Sequence, residues 1–329
     1  MKLKHYTFFF IFLFLSPLSV AEVSLPPDIQ QYVNGVSKEY HFDIDKLSKI
    51  MQQAHVNPTI IHAMNHPFEK KPYDFYRKHF VTQMRVSQGG TYWQSHQKQL
   101  DKIEHQYGVN SSIILAILGV ETFYGQHKGG YNVLDSLTTL AFYYPKRSAF
   151  FKNELTQFLL LTRDQHIDPT TVKGSYAGAL GIPQFMPSTY RHYAVDFAKN
   201  QHIDLMNNEL DAMASVANYL KKSGWKHNQP VAIKLAHQKN IPKSIISKRM
   251  PHFLSHKKLA DAGITLPKNH TWPDKVAIIA MQKKSGPEYW AVFPNYQAIL
   301  RYNPRNNYAL AAYELSKAIG NVHEQSTTR

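Results

Sequence analysis

Residues 113–120, Ile-Ile-Leu-Ala-Ile-Leu-Gly-Val, are apolar on every face of any helix they could form. A helix without a polar stripe belongs in the middle of a packed core, so the rest of the chain must be arranged around this one. Asn110, Ser111 and Ser112 offer capping side chains just before it, and Gly125 offers an exit just after. Glu121 is the first charge to follow the run. A carboxylate there is costly unless it is paired or neutral. Burial raises a carboxyl pKa, which would keep the proton in place for general-acid work. The plainer account pairs Glu121 with an Arg or Lys at the helix terminus, and periodicity alone favours that account.

Around the apolar run the chain is mostly helical in pattern. Residues 24–80 read as amphipathic helices, with Leu47, Ile50 and Met51 behind Asp43, and with Ile60, Ile61 and Met64 behind Pro58. Gly89-Gly90 predicts a turn, and 93–107 predicts one helix stopped by Gly108. Residues 134–142, 150–162, 211–222 and 307–319 add further helices. Residues 174–187 are too rich in Gly and Pro to form one regular element. After Trp225 the texture changes. Val231, Ile233 and Leu235 alternate with other residues, prolines become frequent, and 276–280 and 289–293 predict short strands. The fold class expected is mainly α (α+β), with a small β-containing insert.

The first 21 residues have the layout of a secretory signal peptide: a basic start at Lys2 and Lys4, an apolar run over 6–15, and Ser19-Val20-Ala21 as a small-x-small cleavage site. There are no cysteines, which excludes disulfides, thiolate chemistry, Cys-based zinc sites and a lipid-attachment Cys at the cleavage point. A soluble periplasmic protein without a stable membrane anchor is the expectation. The formal net charge of +15 favours a polyanionic partner. Export argues against nucleic acid, whereas murein carries peptide carboxylates in the right compartment. The 18 histidines are scattered and form no HExxH pair, so zinc is not expected.

The segment Gly174-Ser175-Tyr176-Ala177-Gly178-Ala179-Leu180-Gly181-Ile182-Pro183-Gln184-Phe185-Met186-Pro187-Ser188 puts hydrogen-bonding groups among glycines that let a ligand approach the backbone. Ser175 and Gln184 could bond an N-acetyl or hydroxyl group; a purely structural loop fits equally well. Together with Gly119-Val120-Glu121-Thr122-x-Tyr124-Gly125, this loop resembles the membrane-bound lytic murein transglycosylase B family (glycoside hydrolase family 103). The likeness continues through Leu134-Asp135-Ser136-Leu137, Lys173-Gly174-Ser175, Ala194-Val195-Asp196-Phe197, Ser215-Val216-Ala217-Asn218-Tyr219, Arg301-Tyr302-Asn303 and Tyr308-Ala309. It thus covers most of the mature chain, in a form without a lipid-attachment Cys.

The resemblance implies a lysozyme-like helical core, an α domain built from both chain ends and a small inserted β domain. The boundaries expected are 22–85 for the N-terminal part of the α domain, 86–225 for the catalytic core, 226–294 for the insert and 295–329 for the return. It implies cleavage, without water, of the β-1,4 bond between N-acetylmuramic acid and N-acetylglucosamine, leaving a 1,6-anhydro ring. Glu121 would be the single catalytic acid and base. Ser175 matches the position that orients the N-acetyl group; Gln184, Tyr219, Tyr302, Asn303 and Tyr308 match cleft positions. A hydrolytic muramidase using Asp135, Asp164 or Asp168 as a second carboxylate and a non-catalytic peptidoglycan-binding protein are the competing readings. Glycan strands are the expected partner, with other cell-wall enzymes as further candidates.

The family pattern also includes an EF-hand-like calcium loop. Asp196, Asn200 and Asp211 match its ligand positions, and His202 matches a carbonyl position. Ala198, however, stands where an oxygen ligand belongs, the loop is one residue longer before Asp211, and Lys199 adds a positive charge. Calcium takes six or more oxygens, so a weak site or a metal-free loop is expected, and no cofactor is required.

Overall fold

The computed structural model describes residues 24–66, 71–235, 241–267 and 271–327; the signal-peptide expectation lies outside them. The chain divides into two units, Met1–Gln53 and Ala54–Arg329.

In the first unit, α1 (Pro27–Tyr40) and α2 (Ile44–Gln52) form a helical pair. His41, at φ 57°, turns the chain between them, and Asp43 caps α2 by accepting from the Asp45 and Lys46 amides. Val33, Val36, Leu47 and Met51 are buried.

The second unit begins with α3 (Pro58–Asn65), α4 (Tyr73–Phe80), α5 (Gln83–Ser95) and α6 (Gln97–Tyr107). They lead to α7 (Ser111–Thr122). Residues 113–120 of α7 are all buried, as an all-apolar helix requires. Its N-terminus is capped differently from the expectation. Asn110 occupies the cap position but bonds Asn228 instead. Glu104 of α6 supplies the acceptor, taking both the amide and the hydroxyl of Ser111 at 2.7 Å. A carboxylate here also complements the positive end of the helix dipole.

Gly89-Gly90 makes no turn; both glycines lie inside α5. A Cβ on Gly89 would sit 2.5 Å from the Tyr124 hydroxyl and 2.8 Å from Ile319. The pair is therefore a place of close packing rather than a break. The break falls at His96, so the helix expected over 93–107 is the end of α5 followed by α6.

Next come β1 (Tyr131–Asn132), α8 (Val133–Tyr143), α9 (Ser148–Asp164) and β2 (Lys173–Gly174), with β1 and β2 antiparallel. After the glycine-rich loop follow α10 (Pro187–Tyr193) and α11 (Glu209–Lys222). The β region holds β3 (Ala232–Lys234), β4 (Ile246–Ser247), α12 (His256–Asp261), β5 (Ala277–Lys283) and β6 (Gly286–Val292). Its sheet runs β3-β6-β5-β4, with only the β4–β5 pair parallel. Alternation along the strands gives it two apolar faces. Ala277, Ile279, Trp290 and Val292 join the main helical core. Val276, Ile278, Ala291 and Phe293 pack with Leu254, Leu259 and Ile264 in a second cluster. The chain ends in α13 (Pro294–Tyr302) and α14 (Asn306–Thr327), and α14 packs on α4, α5, α7 and α13. Among the described residues the fold is mainly α, with a two-stranded pair and one four-stranded sheet, in keeping with the mainly α (α+β) class that the pattern predicts.

Candidate active site

The last turn of α7 carries Glu121, and three consecutive left-handed residues then end the helix: Phe123 at φ 52°, Tyr124 at 58° and Gly125 at 86°. Non-glycine residues reach this region only when their surroundings hold them there. Tyr124 is held twice. Its amide bonds the Leu118 carbonyl at 3.1 Å, and its hydroxyl donates to the Arg85 carbonyl at 2.8 Å. The ring folds back over Gly119, where a Cβ would lie 2.7 Å from the phenol oxygen. Arg85 donates to the Gly119 carbonyl at 2.8 Å and lies over Phe123, 5.2 Å from the ring centre. The helix end that bears Glu121 is thereby fixed from α5.

Glu121 is half-buried. Its Oε1 accepts a hydrogen bond of 2.7 Å from the Tyr308 hydroxyl. Tyr308 lies in the first turn of α14 and is 2% exposed. Burial, and then the neighbouring charge of Glu121, push its phenol well above the ordinary value, so it stays protonated and able to donate. The same two causes raise Tyr302.

An aromatic row leads away from this pair. Tyr308 and Tyr302 are nearly parallel at 6.3 Å, and Tyr302 meets Tyr219 edge-on at 5.0 Å. Tyr219 meets Tyr193 at 4.7 Å, and Phe185 of the glycine-rich loop touches both Tyr219 and Tyr302. Tyr219 donates to the Arg301 carbonyl and Tyr302 to that of Pro183. With their polar ends anchored, the rings offer apolar surface of the kind that packs on sugars.

The loop is tied directly to the helix end. Thr122 donates to the Ile182 carbonyl at 2.8 Å and accepts from the Gly125 amide at 2.9 Å. Ser175 Oγ accepts from the Ala177 and Ala179 amides; its own hydrogen finds no acceptor among the described residues and can be donated. Gln184, at φ 51°, spends both side-chain N–H groups on the Lys128 and Gly181 carbonyls. Only its Oε1 remains for a ligand. Asn303 ends α13 between Tyr302 and Tyr308 in the chain and is half-buried. The structure thus joins Glu121, Tyr308, Tyr302 and Tyr219 in one contact series and ties the Ser175–Gln184 loop to it. Sequence reasoning passed over Arg85, Thr122, Phe185 and Tyr193. Thr122 stood inside a quoted motif, but its partner is a carbonyl 60 residues away.

The three other carboxylates weighed as a second catalytic group are committed elsewhere. Asp135 accepts from the His55 amide, Asp164 pairs with Arg163 and Arg191, and Asp168 caps Thr170. The Thr170 hydroxyl and amide hold Asp168 below the usual carboxylate value.

The calcium-loop positions do not fit a metal. Asp211 is fully buried; its Oδ1 accepts from the Phe197 and Ala198 amides and its Oδ2 from the Asp204 amide. Asp196 accepts from the Asn200 and Gln201 amides, and Asn200 from that of His202. These oxygens are turned onto the loop's own backbone, and Lys199 and Gln201 take left-handed φ. Among the described residues, no three His, Cys, Asp or Glu side chains are placed to hold a metal.

Comparison with known proteins agrees with this architecture. The family model described as the transglycosylase SLT domain matches residues 26–317. The membrane-bound lytic murein transglycosylase B of Escherichia coli (strain K12) is 36% identical over 304 residues, covering 89% of this chain and 82% of that protein. The soluble lytic transglycosylase SltB1 of Pseudomonas aeruginosa superposes with a TM-score of 0.83 at 37% identity, covering 91% of this chain and all of that one. The Escherichia coli lytic transglycosylase Slt35, solved in complex with calcium, gives 0.81 at 36% identity, covering 91% and 94%. With the helical core, the inserted sheet and the match over nearly its whole length, the chain belongs to the transglycosylase SLT domain family.

Proposed function

We propose that this chain is a lytic murein transglycosylase. It cleaves the β-1,4 bond between N-acetylmuramic acid and N-acetylglucosamine and leaves 1,6-anhydromuramic acid ends. The observation that carries the reading is the 2.7 Å bond from buried Tyr308 to Glu121, in a site to which none of Asp135, Asp164 and Asp168 is committed.

Protonated Glu121 gives its proton to the leaving oxygen, and the substrate's own acetamido oxygen stabilises the anomeric carbon. Glu121, now a carboxylate, takes the proton of the muramic 6-hydroxyl, whose oxygen closes onto the anomeric carbon. The group ends the cycle protonated again, with no water consumed. Tyr308 suits both halves: its hydroxyl donates to the carboxylate, and its oxygen can accept from the acid. Ser175, with its free hydroxyl hydrogen, orients the acetamido carbonyl. Gln184 Oε1 and Asn303 serve as polar contacts. Tyr219 and Tyr302 supply the ring surface. No step involves a metal.

Glu121, Ser175, Gln184 and Tyr219 fall within 86–225, read as the core, and Tyr302, Asn303 and Tyr308 within the returning segment 295–329. The signal-like start supports a periplasmic site of action, on glycan strands. Among the described residues no helix is long and apolar enough to cross a membrane. Mass spectrometry of digested murein tests the reading. Anhydro-muropeptides are expected from the wild type and none from Glu121→Gln; reducing ends in their place overturn it.

A further inference from the structure

Three stretches of chain meet next to the end of α7, and each is bonded to the other two. Residues 122–128 lead away from Glu121, residues 181–184 belong to the glycine-rich loop, and residues 203–207 precede α11. Thr122 donates to the Ile182 carbonyl, and Gln184 donates to the Lys128 carbonyl, which joins the first stretch to the second. The Ile182 amide donates to the Leu205 carbonyl at 2.8 Å, which joins the second to the third. The Lys128 ammonium joins the third to the first. It donates to the Met206 carbonyl at 2.6 Å and to Asn207 Oδ1 at 3.4 Å. We propose that Lys128 is a positioning residue for substrate binding. Its ammonium closes this triangle and so holds its own carbonyl where that oxygen aims Gln184 at the sugar. The inference rests on the transglycosylase reading and on the contact given there to Gln184.

The ammonium meets acceptors that are already fixed. Asp204 accepts from the Met206 and Asn207 amides and from Asn207 Nδ2, which leaves Asn207 Oδ1 turned towards Lys128. The Tyr190 hydroxyl accepts from the Leu205 amide, so α10 holds the same stretch from its other side. Lys128 is half-buried. A hydrogen bond from a charged donor is roughly twice as strong as one between neutral groups, and this one ties positions 78 residues apart. The next residue, Gly129, is at φ 91°, and a Cβ there would stand 2.2 Å from the Gly174 carbonyl oxygen. The backbone at 128 is therefore gripped by its own side chain and packed closely just after it.

Gln184 depends on that backbone. Its two side-chain N–H groups go to the Lys128 carbonyl at 3.1 Å and the Gly181 carbonyl at 2.8 Å. The direction of its Oε1 follows from where those two oxygens stand. Gly181 is set by close packing, since a Cβ there would lie 2.3 Å from the Leu205 carbonyl oxygen. Lys128 is set by its ammonium. The catalytic acid is held by other means: Tyr124 and Arg85 fix the end of α7, and the Tyr308 bond joins Glu121 to α14. Loss of the ammonium should therefore weaken the grip on the sugar and leave the chemical step in place.

Steady-state kinetics on isolated glycan strands test this. Lys128→Met keeps the length and apolar stem of the side chain and removes its charge. Its KM should rise about fivefold, the size of one hydrogen bond to the substrate, with kcat within about twofold of wild type. Lys128→Arg, which can still donate to the Met206 carbonyl, should recover most of the affinity. In a Gln184→Ala background Lys128→Met should raise KM no further, because residues that act through one another are not additive. An unchanged KM in Lys128→Met, a Lys128→Arg variant no better than Lys128→Met, or the full KM effect persisting without Gln184 overturns this inference alone, provided the wild type forms anhydro products. Reducing ends from the wild type overturn the transglycosylase reading and this inference with it.

Discussion

The hydroxyl of Tyr308 donates to Oε1 of Glu121 at 2.7 Å, across 187 residues of sequence. The apolar helix α7 sets the depth of the acid, and α14 brings the Tyr308 donor to it. Because burial and then the charge of Glu121 raise the phenol well above its ordinary value, the hydroxyl stays protonated and able to donate at neutral pH.

Replacing Tyr308 with Phe keeps the ring and its stack on Tyr302 but removes the donor. A hydrogen bond to a charged group contributes about 1.5–3 kcal/mol, so kcat should fall on the order of 10- to 100-fold, with the melting temperature shifting little by comparison. Single-turnover rates on isolated glycan strands measure this. A rate within about twofold of wild type, where the bond predicts at least tenfold, would leave the bond without a catalytic role.

Some of this was legible in the sequence, and the reasons are local. Residues 113–120 could only be a buried helix because no face of them tolerates water. The apolar runs 276–280 and 289–293 showed as strands because alternate residues face two cores, while the more polar ends of the strands, to Lys283 and from Gly286, did not. What escaped depends on distant partners. Gly89-Gly90 has the composition of a turn, and only Tyr124 and Ile319 explain why it is a helix-packing site. The short, polar start of α13 hid a helix whose Ala298, Ile299 and Leu300 are fully buried. Ser175 and Gln184 stood out as polar groups in a glycine-rich loop. That Gln184 has only an acceptor left follows from the Lys128 and Gly181 carbonyls and from nothing in its neighbourhood in the chain.

Calcium should not stabilise the protein. Melting curves with millimolar calcium and with chelator should agree within about 1 °C, since a ligand that does not bind the native state contributes nothing. Asp211→Asn, by contrast, should cost about 2–3 kcal/mol, because an amide nitrogen would then face a backbone donor in a dry site. Chemical denaturation measures the loss. A clear calcium-dependent rise in melting temperature would show that the loop opens to take the ion.

Tyr190 gives the protein an alkaline limit. Its hydroxyl donates to the Ile203 carbonyl and accepts from the Leu205 amide, fixing the 196–208 loop to α10. Burial pushes its phenol up to about 12. In the unfolded chain a tyrosine loses its proton near pH 10, so between about 10 and 12 the unfolded state binds fewer protons than the folded one. Stability therefore falls as pH rises through that window and is fully present below it. Tyr190→Phe should be less stable at neutral pH, by about 1 kcal/mol for the lost hydroxyl bonds. It should also lose stability less steeply between pH 10 and 12. Parallel slopes for variant and wild type would assign the alkaline limit to the other buried tyrosines, Tyr296, Tyr302 and Tyr308.

The product of the reaction turns on whether a second carboxylate takes part, and the three candidates can be separated by what holds each. Asp164 lies in an exposed pairing with Arg163 and Arg191. Exposed pairs contribute at most about 1 kcal/mol, so Asp164→Asn should keep both stability and activity. Asp168 caps Thr170 at the surface; its Asn variant still offers a side-chain oxygen to the cap and should also stay active. Asp135 accepts from the His55 amide, and Asp135→Asn should lose a little stability while still forming anhydro products. A glycosidase that needs two carboxyl groups would lose its activity with one of these and keep its fold. Muropeptide analysis of the three variants beside Glu121→Gln should find Glu121 alone indispensable, because only there does a buried donor meet the carboxylate at the mouth of an aromatic row.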